Sequence, residues 1–406
     1  MKRLIIILIF LLGVGLLFGY YYLYYRTPPG TAPPPLSPKH RDLWILVDTS
    51  MSMRGYFRTA QTPGTTIQRF LWNGLIPTLR ESFPADTIYF SPFGNEIGMP
   101  QPINSLLNQF CFENSENLKN TFSGTETRLI EVFKKVREAT YRAFVIITDG
   151  VPSATHRAGP APQIVEAVRS LIEGKKQYLW LIGLRSEFEG FVYPECPDEY
   201  GKRRPFHFKG TRPIFIWVGA KDKHKGVEVT AKFLERLQEL SSSQDFNEVK
   251  CAELSFLDLP KAELSFMETN DVCLVYSKDP PEMRILGNRE YIDIPLRIKW
   301  QKERLEKEKE ICLKIIPENF RGASIKNQNG EWYLRIIPRY VSRRLLTINL
   351  SIKPRVERWW VDWSTDDDSS IESSNRTLYL EQLVGKFVTP HINKSYNIAS
   401  IQVIIR

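Results

Sequence analysis

The feature that most constrains this chain is an alternation of short apolar runs with amphipathic segments between residues 41 and 243. Uninterrupted apolar runs of strand length lie at 43–47 (LWILV), 144–148 (FVIIT), 178–183 (YLWLIG) and 213–218 (PIFIWV). Such runs are typical of strands that are buried on both faces. Helical periodicity separates them, most clearly at 129–139. The alternation predicts an α/β domain whose Rossmann-like, doubly wound and mostly parallel sheet has helices on both faces.

Polar side chains follow two of these predicted strands at the points where the strands end. The first strand leads into Asp48, with Ser50 and Ser52 close behind it, and the strand at 144–148 leads into Asp149. Thr125 lies just before the helix predicted at 129. In open α/β sheets, ligands bind beyond the carboxyl ends of the strands. We therefore expect these five residues to meet at one rim of the sheet.

The five side chains offer only hydroxyl and carboxylate oxygens. These are hard ligands, which suit Mg²⁺, Mn²⁺ or Ca²⁺ better than Zn²⁺. Because only two carboxylates are present, an ion held by this set keeps a positive charge and an open coordination position, which attracts an acidic group of another molecule. The expected cofactor is a divalent cation, with Mg²⁺ favoured over Mn²⁺ and Ca²⁺.

These residues resemble the metal-ion-dependent adhesion site of von Willebrand factor type A domains. Asp48, Ser50 and Ser52 match the DxSxS motif of that family. Thr125 matches the threonine of its GT element, and Asp149 matches the aspartate of its T-D-G element. The resemblance covers residues 41–243. It implies that the three hydroxyls bind the metal directly or through water, that the two aspartates act largely through water, and that an Asp or Glu of a protein partner completes the coordination.

One segment departs from the pattern of the family. Residues 187–211 form a long insertion between the predicted strands at 178 and 213, and they include the basic trio Lys202, Arg203 and Arg204. Loops of this length are uncommon within a compact domain. The insertion is interpreted either as a partner-binding loop near the metal rim or as a β-hairpin that covers an edge of the sheet.

The N-terminal end of the chain has a different character. Residues 4–25 carry no charge, and a helix of that length reaches roughly 33 Å, enough to cross a bilayer. We therefore predict a transmembrane signal anchor at 1–26 and a proline-rich linker at 27–40. Gly15 and Gly19 have a spacing that would let two such helices pack as a homodimer. The basic residues next to the N-terminus favour a single-pass membrane protein with an extracytoplasmic body, periplasmic or at the cell surface.

The region 246–406 lacks long helical stripes. It contains short alternating strands, for example at 291–300, 345–352 and 400–405, separated by turn signals. This pattern predicts a smaller all-β, sandwich-like domain after the first one, interrupted by one short helix at 378–387.

The charge of the chain argues against a nucleic-acid partner. The net charge is 55 − 46 = +9, which by itself would favour nucleic-acid binding. Residues 1–41 hold +5 of it, so the other 365 residues carry only +4 and show no basic stripe. No nucleic acid is expected to bind.

Enzymatic alternatives lack the residues that they require. An aspartyl-phosphate phosphatase needs a second carboxylate where Ser50 stands. The sequence also has neither a G-x-S-x-G elbow before a helix nor a GxxxxGK[ST] phosphate loop. It therefore predicts a non-enzymatic, membrane-anchored, metal-dependent module for protein binding, in adhesion or as a scaffold. An adaptor subunit of an ATP-driven machine, of the chelatase or MoxR-like kind with its body in the cytoplasm, stays open as the alternative.

Overall fold

The structure is a computed structural model of the chain. It describes residues 41–406 apart from 60–63, 111, 151–158, 242–247, 256–261, 287–288, 301–308, 319, 342, 355–356 and 393. The predicted anchor at 1–26, the linker at 27–40 and the domain boundary at 243–246 lie outside the described residues. Residues 41–406 form one folded unit.

A seven-stranded sheet is the centre of the N-terminal part. Its strands lie in the order β3-β2-β1-β4-β6-β5-β7. Their bounds are Leu43–Asp48 for β1, Ile88–Phe93 for β2, Gln101–Pro102 for β3, Ala143–Thr148 for β4, Tyr178–Val192 for β5, Phe206–Ala220 for β6 and Val249–Glu253 for β7. Every residue of β1 and β4 is buried, which is the physical reason that both consist almost entirely of apolar residues.

The sheet is mixed, so the prediction of a mostly parallel, doubly wound sheet is wrong. β1 pairs in parallel with β2 and with β4. The pairings β2–β3, β4–β6, β6–β5 and β5–β7 are antiparallel. The reason is that β5 and β6, of 15 residues each, form one long hairpin. A hairpin makes its strands antiparallel, whereas a parallel pair requires a crossover connection. Residues 187–192 and 206–211 of the insertion lengthen the two strands of this hairpin, and residues 193–205 connect them.

Helices cover both faces of the sheet. Their bounds are Thr66–Arg69, Phe70–Leu75 (a π-helical stretch) and Ile76–Ser82 for the three consecutive parts of α1, Asn104–Gln109 for α2, Ser115–Thr121 for α3, Leu129–Glu138 for α4, Pro162–Arg169 for α5 and Lys223–Ser241 for α6. Alternate residues of β1 point to opposite faces. Ile45 belongs to the core that contains Phe233 of α6, and Leu46 belongs to the core that contains Phe133 of α4.

The C-terminal part contains two further sheets that share one core. The five-stranded sheet has the order β12-β15-β18-β10-β9, and the four-stranded sheet has the order β13-β14-β11-β8. Their bounds are Ala262–Phe266 for β8, Val272–Val275 for β9, Glu282–Ile285 for β10, Ile292–Trp300 for β11, Lys309–Ile316 for β12, Ala323–Gln328 for β13, Glu331–Ile336 for β14, Arg344–Pro354 for β15 and Tyr396–Ile405 for β18. Ile294 of one sheet and Ile348 of the other belong to a single buried cluster.

The C-terminal part is not all-β, which corrects the second half of the fold prediction. It also forms the helices α7 (Trp359–Asp362) and α8 (Leu380–Ile392) and the short strands β16 (Ser364–Thr365) and β17 (Thr377–Leu378). Trp359, Trp363 and Leu383 are buried in the same cluster as Trp44 of β1. β7 joins the seven-stranded sheet itself. Apolar residues late in the chain therefore complete the N-terminal core. Local strand patterns in the sequence do not show such long-range contacts.

The predicted membrane topology also needs correction. None of the helices that the structure describes is long and apolar enough to cross a membrane. The segment 4–25, predicted to do so and to pair through Gly15 and Gly19, lies outside the described residues. No described helix therefore supports the prediction of a single-pass membrane protein with an extracytoplasmic body.

Candidate metal centre

The two aspartates of the predicted site lie at neighbouring strand ends. β1 and β4 are adjacent and parallel, so their carboxyl ends meet at one edge of the sheet. Asp48 is the last residue of β1, and Asp149 directly follows the last residue of β4. Asp48 is completely buried and Asp149 is 8% exposed. The fold thus brings both carboxyl groups to one place and removes them from most of the solvent.

The two serines lie where the chain turns over the end of β1. Ser50 immediately precedes the 3₁₀ turn Met51–Tyr56, which contains Ser52. The amide of Ser50 donates to Asp48 Oδ1 at 2.8 Å. The hydroxyl oxygens of Ser50 and Ser52 are 2.9 Å apart, and Ser52 Oγ donates to Asp149 Oδ1 at 3.1 Å. Four of the five predicted residues therefore form one continuous hydrogen-bonded chain.

Two threonines outside the predicted set hold Asp48 from another side. Thr148 Oγ1 donates to Asp48 Oδ2 at 2.7 Å, and Thr127 Oγ1 donates to the same oxygen at 3.3 Å. A sequence signal existed for Thr148, which directly precedes Asp149 at the end of a strand. Thr127 reaches Asp48 only because of the path that the chain takes before α4.

The buried position of the carboxyl groups perturbs their ionisation. Burial, followed by the nearby charge of Asp149, raises the pKa of Asp48 from 3.8 to about 7, although hydrogen bonds from Ser50 and Thr148 oppose the rise. Burial also raises the pKa of Asp149, against the opposing charge of Arg212 and the hydrogen bond from Ser52. Two carboxyl groups in one buried site resist ionising together. A bound cation would favour their ionised forms.

Thr125 lies on the same rim but bonds to a different partner. Its amide and its hydroxyl donate to Asn95 Oδ1 at 2.8 and 3.2 Å. The preceding residue, Gly124, forms a β-bridge with Ser50, and its carbonyl oxygen accepts a bond from the amide of Met51 at 2.8 Å. The structure therefore places Thr125 beside the serines without joining its hydroxyl to their hydrogen-bonded chain.

A cavity of about 680 Å³ opens in front of these residues. Ser50, Ser52, Thr125 and Asp149 form part of its wall. The connection between β5 and β6 and the segment 368–378 form other parts of it. The volume lies within the roughly 300–1,000 Å³ of sites that enclose a ligand.

The donor atoms at the cavity fit a divalent cation. Ser50 Oγ, Ser52 Oγ and Asp149 Oδ1 follow one another at 2.9 and 3.1 Å, and all three residues line the cavity. An all-oxygen set of this kind suits Mg²⁺, Mn²⁺ or Ca²⁺. Asp48 and Asp149 also bring two almost completely buried carboxyl groups to this place, and a cation would offset the cost of burying their charge.

A second cluster with metal-type side chains has another explanation. Cys196, Asp367 and Asp368 bring one ligand atom each within 4.8 Å of one another. However, both carboxylate oxygens of Asp368 accept backbone amides, from Glu195 at 3.0 Å and from Cys196 at 2.8 Å. Asp367 Oδ1 accepts the amide of Ser369 at 2.9 Å. These bonds attach a C-terminal turn to the β5–β6 connection, and we assign no metal to the cluster.

Comparison with known proteins identifies no relative of this chain. No family model matches the chain, and neither a curated protein nor a solved structure does. The resemblance to von Willebrand factor type A domains therefore depends on the motif residues and on their arrangement alone.

Proposed function

We propose that this protein is a divalent-metal-dependent protein-binding module that captures an acidic side chain of a partner. The observation that carries the proposal is the hydrogen-bonded chain of Ser50, Ser52 and Asp149 at the wall of the cavity, with Asp48 buried behind it. The proposal includes no chemical reaction.

The residues of the site have different parts in this function. The hydroxyls of Ser50 and Ser52 and the carboxylate of Asp149 would hold the cation. Asp48 orients the turn through the amide of Ser50 and adds negative charge behind it. Thr125 lines the same cavity and is the fifth candidate ligand. When bound, Mg²⁺, or Mn²⁺ or Ca²⁺ in its place, would supply a positive charge with a coordination position left for an Asp or Glu of the partner.

The elements around the site suit recognition of a partner. The serines lie on a turn and Thr125 lies on the loop before α4, while the strands beneath them are completely buried. Surface loops on a rigid scaffold commonly carry binding specificity. In this protein the sheet would fix the position of the cation, and the loops would select the partner.

Isothermal titration calorimetry of Mn²⁺ binding to the full chain tests the metal site. Ser52→Ala removes a hydroxyl that donates a hydrogen bond to Asp149. We expect this variant to bind Mn²⁺ about 10- to 100-fold more weakly. Ser123→Ala is the matched control, because Ser123 is exposed, precedes Gly124 and does not line the cavity. An unchanged Mn²⁺ affinity in Ser52→Ala, or no Mn²⁺ binding by the wild type, would contradict the proposal.

A further inference from the structure

The cavity wall beyond the serines carries three arginines. Arg212 lies on β6, Arg203 lies in the β5–β6 connection, and Arg376 directly precedes β17. Within the part of the chain that the structure describes, none of the three has a carboxylate at ion-pair distance. They come from separate segments, and only the fold brings them to one cavity. A guanidinium group binds a carboxylate through two parallel hydrogen bonds, so an arginine without an acid partner offers an anion site.

Arg212 is held by an aromatic ring rather than by an acid. Its guanidinium carbon lies 5.0 Å from the centre of the Phe188 ring, and its Nε and Nη1 atoms are buried without a hydrogen-bond partner among the described residues. A partly buried charge is screened less by water than an exposed one. Arg212 therefore adds positive potential to the cavity that the proposed metal site also lines.

Several other charges of the wall are already engaged. The guanidinium of Arg128 lies 3.4 Å from the carboxylate of Glu126. Asp368 accepts the amides of Glu195 and Cys196. Besides the three arginines, the wall carries the carboxylates of Glu131 on α4 and of Glu195 in the β5–β6 connection.

We infer that the ligand of this cavity is a short acidic protein segment with two carboxylates, of which the exposed Arg203 and Arg376 bind the second, with the charge of Arg212 in support. The inference rests on the proposed function, because the first carboxylate is the one expected at the metal. The volume of about 680 Å³ exceeds the need of a single side chain and suits a segment of several residues. Val192, Pro194 and Leu378 also line the cavity, so part of its wall is apolar.

The test compares short peptides in a Gly/Ser background that carry no aspartate, one aspartate, or two aspartates one to four residues apart. Their affinity for the full chain is measured by fluorescence anisotropy in Mg²⁺ and in excess chelator. We expect the best peptide with two aspartates to bind about tenfold more tightly than the peptide with one, since a charge-assisted hydrogen bond contributes about that factor. The Arg203→Gln/Arg376→Gln double variant, in which both changed residues are exposed, should lose this ratio.

Arg204→Gln is the matched control for the double variant. Arg204 is adjacent to Arg203 in sequence, but it pairs with Asp198 at 3.2 Å and does not line the cavity. This variant should keep the tenfold preference.

Failure of the inference is distinguishable from failure of the proposed function. If wild-type protein binds Mn²⁺ but shows no preference for two aspartates, or binds no peptide, the inference is wrong and the metal site stands. The inference is also overturned if the double variant keeps the preference for two aspartates. It is overturned as well if inorganic phosphate binds the protein more tightly than every peptide does. If wild-type protein binds no Mn²⁺, the proposed function itself is wrong.

Discussion

Ser52 donates its hydroxyl to Asp149 Oδ1 at 3.1 Å, although 97 positions separate the two residues in sequence. The bond joins the turn after β1 to the end of β4. It can form because these two strands are adjacent and parallel. The contact therefore reports both on the packing of the sheet and on the integrity of the proposed metal site.

Gly124, beside the site, has little room for a side chain. A Cβ atom there would lie 3.2 Å from the carbonyl oxygen of Thr49 and 3.3 Å from the Cα atom of Gly94, and neither backbone atom can move freely. We expect Gly124→Ala to lower the free energy of unfolding by about 1–3 kcal/mol, as overpacking does. Urea denaturation of the purified protein measures the change.

Gly150→Ala is the control for this substitution at the other end of the site. A Cβ atom at position 150 would meet no described atom within 4 Å. Its effect should stay within about 0.5 kcal/mol. A Gly124→Ala protein as stable as Gly150→Ala would show that the Ser50–Gly124 bridge is less tightly packed than we describe.

Asp368, in the segment before β17, accepts hydrogen bonds from the β5–β6 connection. Asp368→Ala leaves the amides of Glu195 and Cys196 without their carboxylate acceptor. We expect a loss of about 1–3 kcal/mol in the free energy of unfolding and faster hydrogen exchange at these two amides. Asn375→Ala, at an exposed position of the same segment, is the control. Unchanged exchange at both amides would rule out this attachment.

The carboxylate of Glu228 on α6 should make the free energy of unfolding depend on pH. A hydrogen bond from Ser82 is the largest cause, and together with bonds from Lys225 and Lys232 it outweighs the opposing effect of burial and lowers the pKa of Glu228 from 4.5 to about 2. Because the pKa is lower in the folded state, the carboxylate stabilises the fold above pH 4.5, and this contribution is lost as the pH falls towards about 2. Allowing for screening by solvent, it amounts to about 1 kcal/mol.

Glu228→Gln tests this dependence by urea denaturation at several pH values. The variant should be less stable than the wild type by about 1 kcal/mol at neutral pH, and the difference should shrink in acid. Glu235→Gln, at an exposed position of the same helix, should follow the wild type throughout. A Glu228→Gln difference that does not change with pH would contradict the assigned pKa.

Local patterns in the sequence located the elements that carry the proposed site. The apolar runs at 43–47 and 144–148 lie within β1 and β4, and the helical stripe at 129–139 corresponds to α4. Burial on both faces requires an unbroken apolar run, so such a strand is visible without knowledge of its neighbours. The position of Asp48 and Asp149 at strand ends follows from the same runs.

Tertiary contacts alone decided the partners of these elements. The antiparallel direction of β6 against β4, the bond from Thr127 to Asp48 and the packing of Trp359 in the core of the first sheet all join residues far apart in the chain. Local periodicity in the sequence indicates whether a residue is buried, but it does not indicate which residues pack against it. The sequence by itself therefore determined where the strands and the candidate ligands lie, and only the tertiary structure determined which residues surround them.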